Sequence, residues 1–158
     1  MPGSKVQWKS KTSWRAKLQK PMLPKLVPVP DGMARRLGHG IMLIPTALEV
    51  DAMIRKIPRG QVSTLAQIRR RLARWHNADV TCPLVTGIFL RIAAEAAEED
   101  PQAGRPEITP YWRVVRDDGR LNAKFPGGVE AQAQRLREEG HAVENGKLVM
   151  TKPAVSAA

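Results

Sequence analysis

The residues with chemical potential in this chain gather at Thr109-Pro110-Tyr111-Trp112-Arg113 and, further on, at Glu138-Glu139-Gly140-His141. Covalent catalysis needs a nucleophile beside a base. Tyr111 is a phenol of ordinary pKa about 10, and the Trp112 indole nitrogen donates a proton but accepts none. Cys82 is the one thiol of the chain, and its type favours a small buried residue. Glu139 with His141 is the remaining acid–base pair, but nothing around it stands at triad or metal-ligand spacing. With one Cys and three His, no metal and no other cofactor is expected. What Tyr111 and Trp112 do offer is two flat rings, and stacking on an aromatic ring is worth about 1–3 kcal/mol per nucleobase.

The elements that would hold these residues are legible in outline. Thr46 and Glu49 have the spacing of a capping box, which predicts a helix ended by Pro58-Arg59-Gly60. Its apolar side is Leu48, Met53, Ile54 and Ile57. A second helix is predicted from Thr64 to Trp75, with Leu65, Ile68, Leu72 and Trp75 as its buried stripe. A third starts near Thr81, tolerates Pro83 in its first turn and runs to Glu98. Its core face is read as Val85, Ile88, Phe89, Ile92 and Ala96. Two such helices joined by the short turn His76–Val80 read as a helix-turn-helix or, equally, as any helical hairpin. After an acidic loop, a strand is expected over Trp112–Val115, with a turn at Asp118-Gly119 and a return strand from Arg120-Leu121. That strand pair would be a wing. A last helix follows over Val129–Glu139, closed by Gly140, and one more strand is expected at Lys147–Met150.

Charge points to the partner. The net charge is +11, which favours a polyanion, most commonly nucleic acid. Residues 1–36 hold nine Lys/Arg against one acid, and between Asp51 and Asp79 stand seven cations with no acid. Residues 1–42 are rich in Lys and Pro and poor in apolar residues, so they are expected to be an extended basic arm. Residues 43–150 make the folded domain and 151–158 a flexible tail. No apolar run is long enough for a membrane span or a signal peptide. A cytoplasmic, nucleoid-associated monomer is therefore the expectation.

Several short motifs occur in a telling order: Ile57-Pro58-Arg59-Gly60-Gln61-Val62, Pro110-Tyr111-Trp112-Arg113-Val114-Val115, Asp118-Gly119, Phe125-Pro126-Gly127-Gly128 and Glu139-Gly140. Over about Ile44–His141 they resemble the DNA-binding domain of the methylated-DNA–protein-cysteine methyltransferases. The resemblance implies an α+β, mostly helical fold: the winged helix-turn-helix of the C-terminal domain of DNA alkyltransferases, here with an N-terminal basic arm. That family carries Pro-Cys-His-Arg-Val-Val at its alkyl-accepting site and flips guanines alkylated on the exocyclic oxygen. Tyr111 stands in the place of the acceptor cysteine and Trp112 in that of the histidine. The chain thus looks more like the alkyltransferase-like proteins, which lack the cysteine, bind damaged DNA and hand it to excision repair. Those usually keep the histidine, and this chain departs from them there. The family's finger arginine falls at Leu84 and its phosphate-rotating tyrosine at Leu65.

The resemblance implies a non-catalytic protein that binds double-stranded DNA, intact or alkylated, with a repair protein as a further partner. Pro110, Tyr111, Trp112, Arg113, Phe125 and Glu139 would line the pocket for a flipped base. Arg69, Arg70, Arg71 and Arg74 would lie near phosphates, with Leu84, Gly87 and Arg91 on the DNA face of the third helix. Glu95, Glu98, Glu99 and Asp100 make the end of that helix acidic, so only its first two turns are expected to touch DNA. A damaged base costs less to extrude than an intact one, which would supply the discrimination. The alternative is a winged-helix DNA binder indifferent to damage, its old pocket closed by Tyr111 and Trp112.

Overall fold

Two capping boxes set the frame. Thr46 Oγ1 accepts from the Glu49 amide at 3.1 Å, and Glu49 returns a bond to the Thr46 amide at 2.9 Å. Thr64 and Gln67 repeat the arrangement. Each satisfies two amides that a helix start leaves orphaned and stabilises its helix by about 1 kcal/mol. The second box has the same spacing as the first but carries Gln in place of Glu. The computed structural model describes residues 12–99 and 108–149; the expected tail and the first part of the expected arm lie outside them.

In chain order the elements are α1 (Trp14–Gln19), β1 (Lys25–Pro28), α2 (Asp31–Leu37), β2 (Ile41–Ile44) and α3 (Ala47–Arg55). Then follow β3 (Ser63–Thr64), α4 (Leu65–Trp75), β4 (Val80–Thr81) and α5 (Pro83–Glu99). A 3-10 turn (Tyr111–Arg113), β5 (Val114–Val115), α6 (Gly128–Glu138), β6 (Val143–Glu144) and β7 (Lys147–Leu148) complete the described chain. This is the mixed, mostly helical α+β architecture expected. Helices α4 and α5 form the predicted hairpin, and α5 packs on α3 at the centre of the molecule.

Residues 12–42 are not an extended arm. Strand β1 runs antiparallel to β2, with Lys25 opposite Ile44 and Pro28 opposite Ile41, and β2 runs parallel to β4. Val29, Met42 and Cys82 are buried together beneath this sheet, with Val27, Met33, Leu37 and Val80 around them. The segment has few apolar residues, but they converge on one small second core. Pro28 and Pro30 sit where a missing amide costs little, on the edge strand and before α2.

The wing also differs from the hairpin expected. Residues Tyr111–Arg113 coil as a 3-10 turn, so the strand is only Val114–Val115, and it pairs parallel with β3. The turn itself is as read: Gly119 has φ +88°, its amide donates to Arg116 O, and Asp118 accepts from the Arg120 amide. The return segment bridges to Lys147 beside the β6–β7 hairpin. Asp117 in the same turn caps α4 by accepting from the Ala66 amide at 2.9 Å. The wing is thereby docked onto the start of the helical hairpin.

Three expected core positions are exposed instead: Leu48, Trp75 at 53% and Ile88 at 50%. On α5 the buried residues are Thr86, Leu90, Ala93, Ala94, Ala96 and Ala97; of the face predicted, Ala96 is buried and Phe89 and Ile92 pack half-buried against the core. Small side chains lie against α3 and α1, which lets the helices approach closely, and the bulkier Leu84 and Ile88 are left outside.

Candidate nucleic-acid interface

The Tyr111-Trp112 pair lies inside the main core. Tyr111 is 2% exposed, with its ring edge-on to Trp112 and to Phe125 at centroid separations of 5.3 and 5.1 Å. Its hydroxyl donates to Glu98 Oε2 at 2.5 Å, and Arg135 Nη2 donates to the same oxygen at 2.6 Å. The Arg135 guanidinium also lies over the Trp112 ring, 4.3 Å from its centroid. Burial first, then the Glu98 bond and charge, push the Tyr111 pKa far above its ordinary value. Thus a proton sits firmly on the phenol at neutral pH.

Glu139 and Arg113 close the other side. Arg113 Nε donates to Glu139 Oε1 at 2.9 Å and Nη2 to Oε2 at 2.8 Å, while Trp112 Nε1 donates to Oε2 at 3.0 Å. Arg113 Nη1 also reaches Ile57 O, tying the motif to the end of α3. Burial works against the Glu139 carboxylate, but the Arg113 and Trp112 bonds and the Arg113 charge hold its pKa below the usual range. His141 makes no bond to Glu139. Burial lowers its pKa, Glu139 opposes that in part, and its Nε2 is buried with no partner among the described residues. The acid–base pair considered from sequence is not assembled.

Gln132, absent from the sequence reading, is the staple of the site. Its Nε2 donates to Trp112 O and Val114 O at 3.1 and 2.9 Å, and its Oε1 accepts from the Asn122 amide at 2.8 Å. It thereby fixes β5 against the segment after the wing. A glutamine in an amphipathic helix gives no sequence signal of this kind. Likewise Asp51, buried in α3, accepts from Thr109 Oγ1 and Arg55 Nε and anchors the approach to Tyr111.

The described residues also form an open groove of about 630 Å³, within the range of small-ligand clefts, about 300–1,000 Å³. One wall is α5, through Leu84, Gly87, Ile88 and Arg91. A second wall is the wing and the segment after it, through Arg116, Asn122 and Lys124. A third comes from α1, through Trp14 and Lys17. Four cations line the groove and no carboxylate does. Tyr111, Trp112 and Phe125 are not among its lining residues.

The structure therefore divides the sequence-predicted site. Leu84, Gly87 and Arg91 come together on the groove, with Leu84 69% exposed; a Cβ on Gly87 would meet no protein atom. Arg71 and Arg74 instead line a shallow basin with Lys56 and the exposed Trp75. Arg70 is exposed, and Arg69 lies 4.0 Å from Asp117. Ile88, Arg116 and Lys124 were missed. Ile88 continues the spacing of Leu84, but its apolar character reads as core.

One prediction arises directly from Tyr111, the only tyrosine in the chain. Its folded pKa is raised, so the stability it confers is complete below about 10, the ordinary value, and declines as pH climbs beyond it. In an alkaline titration followed by near-ultraviolet absorbance, the phenolate signal should rise only together with unfolding seen by circular dichroism. Ionisation of a still-folded protein near the ordinary value would show instead a phenol open to solvent.

Comparison with known proteins adds the following. The model of the family described as 6-O-methylguanine DNA methyltransferase, DNA binding domain, matches residues 45–141. Among solved structures, the chain is similar to S. pombe Atl1, crystallised in complex with damaged DNA containing O6-carboxymethylguanine. Identity is 22%, with 71% of this chain and 94% of that chain covered and a TM-score of 0.47. No curated protein matches the chain significantly.

Proposed function

The chain belongs to the family of the 6-O-methylguanine DNA methyltransferase DNA-binding domain, and we propose that within it this protein binds double-stranded DNA as a non-catalytic reader of damaged bases in repair. The observation that carries this reading is the groove beside α5, walled by Lys17, Arg91, Arg116 and Lys124 without a single acid. Phosphates supply affinity at such a surface without sequence choice. Alkyl transfer is not part of the proposal. Tyr111 holds its proton in a bond to Glu98, and Cys82 is buried in the other core cluster.

Damage reading rests on extrusion. Taking a nucleotide out of the stack costs a few kcal/mol, least for a damaged or mispaired base. Leu84 is the wedge that takes its place, as apolar side chains do in other DNA-bending proteins. The groove beside Leu84 receives the base, between α5 and the wing segment that follows Tyr111 and Trp112 in the chain. The burial of Tyr111 favours a second reading, in which the old pocket is closed and DNA is bound regardless of damage.

Titration against matched duplexes, identical but for one guanine alkylated on the exocyclic oxygen, separates the two. The first reading expects tighter binding to the damaged duplex and no alkyl group on the protein afterwards. Equal affinities would leave the second. A chain that binds neither duplex would end both.

A further inference from the structure

The acidic end of α5 was expected to repel DNA, but the structure engages each of its described carboxylates. Glu95 lies 3.6 Å from Arg91, and Glu98 holds Arg135 and the Tyr111 hydroxyl. Glu99 accepts from the amides of Trp14 and Arg15 at 2.7 and 3.0 Å. The last bonds come from α1, which lies outside the segment matched by the family. Arg15 Nη2 also donates to Ala96 O at 3.1 Å, Ser13 caps the helix, and Leu18 is buried in the main core. The orientation of α1 on α5 is thus set from both ends.

Held this way, α1 turns Trp14 and Lys17 into the groove. Lys17 Nζ lies 4.2 Å from the Trp14 ring centroid, and the Arg91 guanidinium 5.7 Å from it. An aromatic ring flanked by two cations, in a groove whose lining residues include no acid, suits an anionic strand that carries flat bases.

We propose that α1 is a second DNA-contacting element, added to the recognition helix. Lys17 meets a phosphate of the bound strand, and Trp14 packs against the nucleotide next to it. The contact face of α5 thereby extends past its second turn to Arg91. Residues 1–11, which contain Lys5, Lys9 and Lys11, precede this helix in the sequence. The inference rests on the DNA-binding reading above.

The test uses the full chain and a fluorescently labelled duplex, with affinity measured over a series of salt concentrations. Lys17 is exposed and its side chain makes no hydrogen bond that seats α1, so Lys17→Gln should fold normally. It should bind severalfold more weakly and flatten the salt dependence by about 0.9 in log–log slope, the mark of one lost phosphate contact. Lys17→Arg should restore both. Trp14→Ala should lower affinity roughly tenfold. If the wild-type chain binds the duplex and Lys17→Gln leaves affinity and slope unchanged, α1 is only a buttress and the inference is overturned, whatever Trp14→Ala does. If the wild-type chain binds no duplex, the DNA-binding reading fails first and this one with it.

Discussion

Glu139→Ala is expected to destabilise the fold by about 3–5 kcal/mol, the usual loss when one member of a buried ion pair is removed. The Glu139 side chain is 2% exposed and, among the described residues, accepts every side-chain hydrogen bond of Arg113 apart from the one to Ile57 O. Without it the Arg113 guanidinium keeps its charge, because arginine cannot shed its proton. It would have to reach water through a packed wall or remain uncompensated. Trp112 Nε1 would lose its acceptor as well. The measurement is urea unfolding followed by tryptophan fluorescence. Replacing both partners with apolar residues of similar size, Arg113→Met with Glu139→Leu, should recover much of the loss. A single-mutant cost below about 1 kcal/mol would mean the pair behaves like a solvated surface bridge.

The second large effect concerns binding. Arg116→Glu combined with Lys124→Glu is expected to weaken duplex binding by roughly 10–100-fold at moderate salt and to reduce the log–log salt slope by about two. Both side chains are exposed on the wing wall of the groove, and neither makes a side-chain hydrogen bond that secures the fold. Net charge falls by four, which alone weakens attraction to DNA at long range. Lys25→Glu with Arg35→Glu makes the same change of net charge on β1 and α2, away from the groove. That control should lose far less. Comparable losses in the two double variants would show that overall charge, and not this groove, sets the affinity.

Much of this was legible in the residues. The box at Thr46 and Glu49, the stop at Pro58-Arg59-Gly60 and the Asp118-Gly119 turn are local chemistry, decided within a few residues of chain. The box and the turn appear where the sequence placed them, while the helix ends at Arg55, ahead of Ile57 and the Pro58-Arg59-Gly60 stop. The two-helix hairpin follows from the same kind of signal. The 12–42 segment was misread because composition counts apolar residues without knowing that Val29, Met42 and Cys82 meet. Trp75 was placed inside for a similar reason: its spacing from Leu72 is helical, but α4 ends there and its ring turns out beside Lys56.

What the sequence determined by itself was the chemistry available at positions 111 and 112. A phenol and an indole at Tyr111 and Trp112 cannot do what a thiolate and an imidazole do, whatever surrounds them, because protonation and nucleophilicity belong to the side chain's own atoms. What only the tertiary structure decided was which surfaces those atoms meet. Helix α5 is apolar around most of its circumference, so periodicity could not choose its inner face; close approach of α3 and α1 to its alanines did. The same packing drew the acids of α5 into bonds with α1 and α6 and left an acid-free groove between elements far apart in the chain. Solvation and charge at a surface depend on every neighbour within several ångströms, and those neighbours exist only once the chain has folded.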